Sequence, residues 1–275
     1  MFWQRALVTL TLGPLALYLV YLGGWWLFVP VTAVFLVATH EYLHMVEGLG
    51  WKPAHWLLYG AVLAQMAVVQ WPGLGLTAVD LLAPLTLISF LLSLAYALWL
   101  YEFDKSKTAV ADWFSLIVGI LIIGWVGGHL LRIRNLEHMA WQWTMLGLVA
   151  IWIADTGAYL VGRFFAGKLL GHHQLTPRLS PKKTVEGYIG GIVLSIGATA
   201  LAAYLLTLPV LTSIIMATIV SALGPLGDLG ISMLKRQAGL KDSGVLFPGH
   251  GGAFDRIDSL IWSIAITYYL ILFIG

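Results

Sequence analysis

The chain has 275 residues, 60% of them hydrophobic and only 10% charged, with 13 tryptophans and no cysteine. Together with a mean hydropathy of +0.88, this composition belongs to a polytopic membrane protein. It excludes a soluble globular enzyme, a disulfide scaffold, a thiol nucleophile and a thiolate metal site. A net charge of +2 gives no reason to expect a nucleic-acid partner, and where the charges lie says more than their sum.

Apolar stretches of about 17–25 residues are long enough to span a bilayer. Nine occur, at residues 6–22, 25–47, 55–71, 82–103, 110–131, 142–163, 185–206, 210–235 and 256–274. They predict an all-α polytopic membrane protein with about nine transmembrane helices, folded as a single integral-membrane domain over 1–275. The first stretch has no small-residue cleavage site and runs directly into the second, so it reads as a retained helix. Gly23-Gly24, Trp51-Lys-Pro53, Trp71-Pro-Gly73 and Thr207-Leu-Pro209 punctuate the spans as turns. With nine spans, the amino terminus and the even-numbered loops share one side. That side holds thirteen of the fifteen lysines and arginines, while the other holds only Arg132 and Arg134. By the positive-inside rule the charged loops are cytoplasmic, the carboxy terminus lies outside, and the protein is integral to a cytoplasmic (inner) membrane.

Charges inside or beside such spans need a partner or a function. The second span contains His40-Glu-Tyr-Leu-His44, which fits the H-E-x-x-H spacing that sets two imidazoles on one helical face for zinc, with the glutamate as base. An intramembrane metalloprotease would need a third ligand, with Asp80 or Asp228 recruited from elsewhere. In the sixth span Asp155, Tyr159 and Arg163 fall at i, i+4 and i+8, with Asp155 deep enough to require a partner such as Arg163 or Lys183. The sixth loop carries Ser180-Pro-Lys182-Lys183-Thr184-Val-Glu186-Gly187. Its two lysines suit a nucleotide triphosphate or lipid phosphate, while as a bare charge pair at a span boundary they read by default as a topological anchor.

The eighth span is richer. Asp228, Ser232, Lys235 and Arg236 lie at i, i+4, i+7 and i+8, so one helical stripe carries a carboxylate, a hydroxyl and two cations. A pairing of Asp228 with Lys235 or Arg236 that merely anchors the helix end would use the same spacing. Pro248-Gly249-His250-Gly251-Gly252 then offers backbone that can approach an anion closely beside a helix amino terminus. His250 suits a phosphate oxygen or an ordinary loop hydrogen bond. The ninth span opens with Asp255-Arg-Ile-Asp258, two like charges on one face that disfavour each other unless a cation lies between or beside them. Hard oxygen ligands without cysteine point to Mg²⁺ rather than zinc. Asp228 and Asp255, at the ends of consecutive spans, are expected to share that metal. N-terminal capping explains Asp255 or Asp258 as well, but not Asp228.

Ser232-x-x-Lys-Arg-x4-Lys-Asp-x-Gly-x3-Pro-x-His-Gly-Gly-x-x-Asp-Arg-x-Asp258 resembles the signature of the phosphatidate cytidylyltransferases, the CDP-diglyceride synthases. Ser180-Pro-Lys-Lys-Thr-x-Glu-Gly187 and Asp155-Thr-x-Ala-Tyr159 resemble further segments of that family in the same order. The matching region covers about 155–260, within a catalytic half of about 142–275. Glu41 resembles an acidic position in the family's early helix. Ala253 departs from the family's larger aliphatic residue, and the stretch from Ala166 to Gln174 is longer than the usual connection.

The resemblance implies transfer of a cytidylyl group from CTP to phosphatidate, giving CDP-diacylglycerol and pyrophosphate in phospholipid biosynthesis, at a site facing the cytoplasm. It implies Asp228 and Asp255 as metal ligands, with Asp258 assisting, for Mg²⁺ and a second metal ion if two are used. Lys235, Arg236, Lys241 and Arg256 would contact substrate phosphates, with Lys182, Lys183, His250, Ser232 and Asp155 in supporting binding roles. It also suggests a homodimer in the lipid bilayer. The readings that remain beside it are a CTP-dependent polyprenol or related lipid kinase, a secondary transporter and the metalloprotease.

Overall fold

A computed structural model describes residues 2–70, 80–169, 171–246 and 251–274. In chain order the helices are α1 (Phe2–Leu22), α2 (Gly24–Gly48), α3 (His55–Gln70), α4 (Leu82–Glu102), α5 (Ala109–Gly119), α6 (Gly127–Arg134) and α7 (Ala140–Phe164). After the strands β1 (Gln174–Thr176) and β2 (Ser180–Thr184) come α8 (Val185–Leu205), α9 (Val210–Leu223), α10 (Pro225–Gln237) and α11 (Phe254–Ile274). Seven of the described helical segments are long and apolar enough to cross a membrane. The other two expected spans coincide with α1 and the 16-residue α3. The protein is an all-α polytopic membrane protein. The turn expected at Trp71-Pro-Gly73, and Pro248, Gly249 and His250, lie outside the described residues.

Two spans depart from simple helices. The fifth runs from α5 through a π-helical segment, Ile120–Val126, into α6. A β-carbon on Gly124 would strike the Gln65 carboxamide, and one on Gly127 the Phe35 ring. The wider turn therefore lies where neighbouring side chains press against bare backbone. The eighth span is divided between α9 and α10, because Pro225 lacks the N–H that would continue the ladder. The sixth loop contains a small antiparallel hairpin with Gln174 opposite Thr184 and Thr176 opposite Ser180. Interspersed Pro181 and lysines hid its strand character.

The chain forms two compact units, Met1–Asn135 with Leu234–Arg256, and Leu136–Met233 with Ile257–Gly275. In the first, Phe35, Leu43 and Met45 of α2 are buried, as are Leu58 and Met66 of α3, Ile120 and Ile123 of the π segment and Leu131 of α6. The Tyr42 hydroxyl donates to the Ser115 carbonyl at 2.6 Å. Arg134 donates to the carbonyls of Val20 and Tyr21 at 2.7 and 3.0 Å. Its guanidinium thus satisfies the open carbonyl end of α1 with a charge of the favourable sign.

In the second unit, α8 buries Gly187, Gly191, Ser195, Thr199 and Ala203, one residue in every turn. This stripe of small side chains lets α7 approach at backbone distance, the usual basis of helix pairing in lipid. A β-carbon on Gly191 would come within 3.0 Å of both the Ala158 β-carbon and the Ala158 backbone nitrogen. Ser195 Oγ crosses the interface to donate to the Ala150 carbonyl at 2.7 Å. Thr184 caps α8 by accepting from the Gly187 N–H at 3.1 Å, which fixes where the hairpin ends and the helix begins. Gly191→Leu is expected to lower stability by about 1–3 kcal/mol through overpacking, read as thermal unfolding in detergent. Gly197→Leu, on the same helix with open space around its Cα, should leave the midpoint nearly unchanged.

Candidate active site

The sequence marks α10, α11 and the hairpin as the polar elements of an apolar chain, and the structure gives their charges specific partners. In the second unit, side chains of β2 alternate between faces. Lys182 is exposed while Lys183 is half-buried and its ammonium is ion-paired to Asp228 Oδ2. Asp228 stands in the first turn of α10, where the helix dipole favours a carboxylate. One turn further, Ser232 Oγ donates to Asp228 Oδ1 at 3.2 Å. The stripe expected from the spacing therefore exists over Asp228 and Ser232, while the charge partner of Asp228 comes from the hairpin instead of Lys235 or Arg236.

The same unit holds Asp155 and Asp258. Asp155 is exposed on α7, and its Oδ2 accepts from Ser259 Oγ at 3.2 Å. Asp258 is buried, and its Oδ1 accepts from the Ser259 N–H at 2.7 Å. Gly227 admits this part of α11 closely, since a β-carbon there would meet the Asp258 carbonyl and the Trp262 ring. Arg163 donates to the Tyr159 hydroxyl one turn before it.

In the first unit, Lys235 and Asp255 form an ion pair whose side chains are only 9% and 6% exposed. Asp255 Oδ1 takes the lysine ammonium, and Oδ2 accepts from the N–H groups of Ser243 at 2.8 Å and Gly252 at 3.0 Å. Gly251, at φ +81°, has to be glycine on both counts: the left-handed conformation, and the Asp255 carboxylate where its β-carbon would be. Arg236 is exposed and donates to the Leu240 carbonyl at 3.1 Å, closing the carboxy end of α10. Lys241 and Arg256 are exposed, and His250 lies outside the described residues.

Sequence reasoning missed the part played by Glu41. Although α2 carries it in the H-E-x-x-H spacing, His40 and His44 are exposed while Glu41 is 6% exposed. Its carboxylate accepts from Ser243 Oγ at 2.7 Å, the Ala253 N–H at 2.9 Å and the Phe254 N–H at 2.8 Å. Three donors occupy the group that a zinc protease would need as a base. Among the described residues no three His, Asp or Glu side chains gather to hold a metal by themselves. The metalloprotease reading is therefore unsupported. The available signal was the rarity of a carboxylate in a span, which demands a partner whatever motif it happens to fit.

The Lys235–Asp255 pair has a direct stability consequence. Lys235→Ala is expected to destabilise the protein by about 3–5 kcal/mol, because a buried carboxylate is left without its counter-charge. Adding Asp255→Asn should recover part of that loss in a double-mutant cycle read by unfolding in detergent. Strictly additive losses would contradict the pairing.

The sequence model described as the cytidylyltransferase family matches residues 3–274. A phosphatidate cytidylyltransferase of Synechocystis sp. is 31% identical over 300 residues, which cover 98% of this chain and 96% of that protein. One from Bacillus subtilis is 37% identical over 158 residues, 57% of each chain. Another, from Staphylococcus saprophyticus, is 34% identical over 155 residues, 56% of this chain and 58% of that protein.

Proposed function

Because the chain belongs to the cytidylyltransferase family, we propose that it transfers the cytidylyl group of CTP to phosphatidate and so makes CDP-diacylglycerol. An oxygen of the phosphatidate monoester bonds to the α-phosphorus of CTP, and the bond from that phosphorus to the β-bridging oxygen breaks. Pyrophosphate leaves with the electron pair. The attacking phosphate is already anionic near neutral pH, so no serine, cysteine or strong base is required. The demand is for charge neutralisation and in-line placement of two polyanions.

The observation that carries this reading is the pair of lysine–carboxylate contacts, Lys183–Asp228 and Lys235–Asp255, on the polar segments of an otherwise apolar chain. Lys183 and Asp228 are each about one-third exposed, at 31% and 29%. An ammonium at that depth can leave its carboxylate for a phosphate oxygen without crossing a packed core. Exposed Lys182 in the second unit, and Arg236, Lys241 and Arg256 in the first, supply positive charge that attracts polyanions such as CTP and a lipid phosphate. Ser232, which already donates to Asp228, can turn its hydroxyl to a phosphate oxygen, and exposed Asp155 can accept from a substrate hydroxyl or amino group.

Magnesium fits the donor set. Asp228 and Asp258 in the second unit, and Asp255 in the first if Lys235 yields its Oδ1, each offer hard carboxylate oxygens, and the chain has no cysteine to favour a softer metal. Mg²⁺ typically uses one or two carboxylates plus substrate phosphates and waters, so a protein-only cage of three is not needed. When bound it would neutralise phosphate charge, a role for one ion or two. The concentration of thirteen of fifteen cations on the even-numbered loops and amino terminus supports a cytoplasmic-facing site in a cytoplasmic membrane.

Asp228→Asn and Asp255→Asn are each expected to reduce CDP-lipid formation by at least about 10²-fold while the protein still inserts in the membrane. The assay uses purified protein, labelled CTP, phosphatidate and Mg²⁺, and follows lipid-linked cytidine and pyrophosphate. Near-normal turnover in both variants would overturn the assignment of these carboxylates.

A further inference from the structure

We propose that Glu41 is a positioning residue for cytidylyl transfer: from α2 it fixes the Ser243–Gly244 segment and the first turn of α11 so that Asp255 and Lys235 are held in one geometry. The proposal rests on the cytidylyltransferase reading for its effect on turnover, and on geometry internal to the first unit for its effect on these segments.

Helix α11 begins at Phe254, so the residue in its cap position is Ala253, which has no side-chain acceptor. Most helices answer this need with a local Ser, Thr, Asp or Asn. Here the acceptor arrives from a helix more than two hundred residues earlier in sequence, where Glu41 takes the N–H groups of Ala253 and Phe254. A buried carboxylate with three donors is well satisfied, and the anion sits where the α11 dipole favours it.

Glu41 is also wired to Asp255 through one side chain. Ser243 Oγ donates to Glu41 Oε2 at 2.7 Å and accepts from the Asp255 N–H at 3.2 Å, while the Ser243 N–H donates to Asp255 Oδ2 at 2.8 Å. A shift of the Ser243 segment therefore carries the Asp255 carboxylate with it, and with that carboxylate the Lys235 ammonium. Two described residues, Gly244 and Gly252, come close to Glu41. A β-carbon on Gly244 or on Gly252 would strike the Glu41 carboxyl group, and one on Gly252 would also strike Ser243 Oγ. These two glycines answer to close approach, not to backbone angle.

Glutamine is the informative replacement. A carboxylate offers only acceptors, whereas a carboxamide turns an NH₂ donor toward a hydroxyl or an N–H and leaves that pair mismatched. Glu41→Gln is expected to lower kcat by about 10²-fold, the effect of a small misplacement of reacting groups, with KM for CTP changed much less. Amide exchange at Ser243, Ala253 and Phe254 should accelerate. The comparison variant is Asp112→Asn, since Asp112 is likewise buried and likewise accepts from the Lys52 N–H at 2.6 Å and Ser106 Oγ at 2.7 Å. Its carboxylate hydrogen bonds run to Lys52, Ser106 and Thr108, so its kcat per folded molecule should stay near that of the unaltered protein even if its unfolding midpoint falls.

The measurements are made on the full-length protein in nanodiscs, with kcat corrected for the folded fraction. Loss of kcat and of protection at Ser243, Ala253 and Phe254 in Glu41→Gln, with both preserved in Asp112→Asn, supports the proposal. Protection and kcat at unaltered levels in Glu41→Gln would overturn it, as would a kcat loss that merely tracks the unfolded fraction. Failure of the unaltered protein to make any CDP-lipid would instead sink the functional reading, while the exchange data would still decide whether Glu41 holds these segments.

Discussion

A charge brought into an apolar helical protein has to meet an opposite charge or a set of hydrogen-bond donors, since solvation is no longer there to stabilise it. That requirement organises the polar elements of this chain. Asp255 is matched by the Lys235 ammonium and two N–H groups, Asp228 by Lys183 and Ser232, and Glu41 by three donors from the segment around Ser243 and Ala253. None of these groups is satisfied by its own helical turn alone. Each carboxylate therefore acts as a joint between chain segments.

The surrounding helices make those joints reachable. Small residues along α8 bring α7 to backbone distance, and the hairpin that precedes α8 ends at the Thr184 cap, which sets the register that turns Lys183 toward Asp228. A one-residue slip of β2 would present Lys182 in its place, because neighbouring strand residues face opposite ways. In the first unit the glycines at 244, 251 and 252 remove the side chains that would keep the loop away from Glu41 and Asp255. Backbone bareness and carboxylate placement are thus two halves of one arrangement.

Much of this was legible from residue order. The apolar spans predicted the helices closely because twenty-residue hydrophobic runs admit few other structures, and the i, i+4 relation of Asp228 to Ser232 survived into a real contact. The partner assignments were not legible. Helical spacing offers Lys235 or Arg236 as an alternative partner for Asp228, yet the structure joins Lys235 to Asp255, because spacing along one helix says nothing about which other segment comes close. The hairpin was hidden by a strand of only five residues containing proline and two lysines, too short for a period-two pattern to stand out. Glu41 is visible in the sequence through a metal-binding motif and a family resemblance, but its partners are not, since its three donors are backbone and serine groups more than two hundred positions away. The small-residue stripe at Gly187, Gly191 and Ser195 was readable in principle, its four-residue spacing being a helix-pairing signal in lipid.

The proposed function turns on attack at the α-phosphorus of CTP and not at its terminal phosphate. The direct measurement is the fate of isotope from CTP labelled separately at the α and γ positions, incubated with purified protein, phosphatidate and Mg²⁺. The account predicts α-label in the lipid product and γ-label in released pyrophosphate. Label from the γ position in lipid, with CDP released, would contradict it.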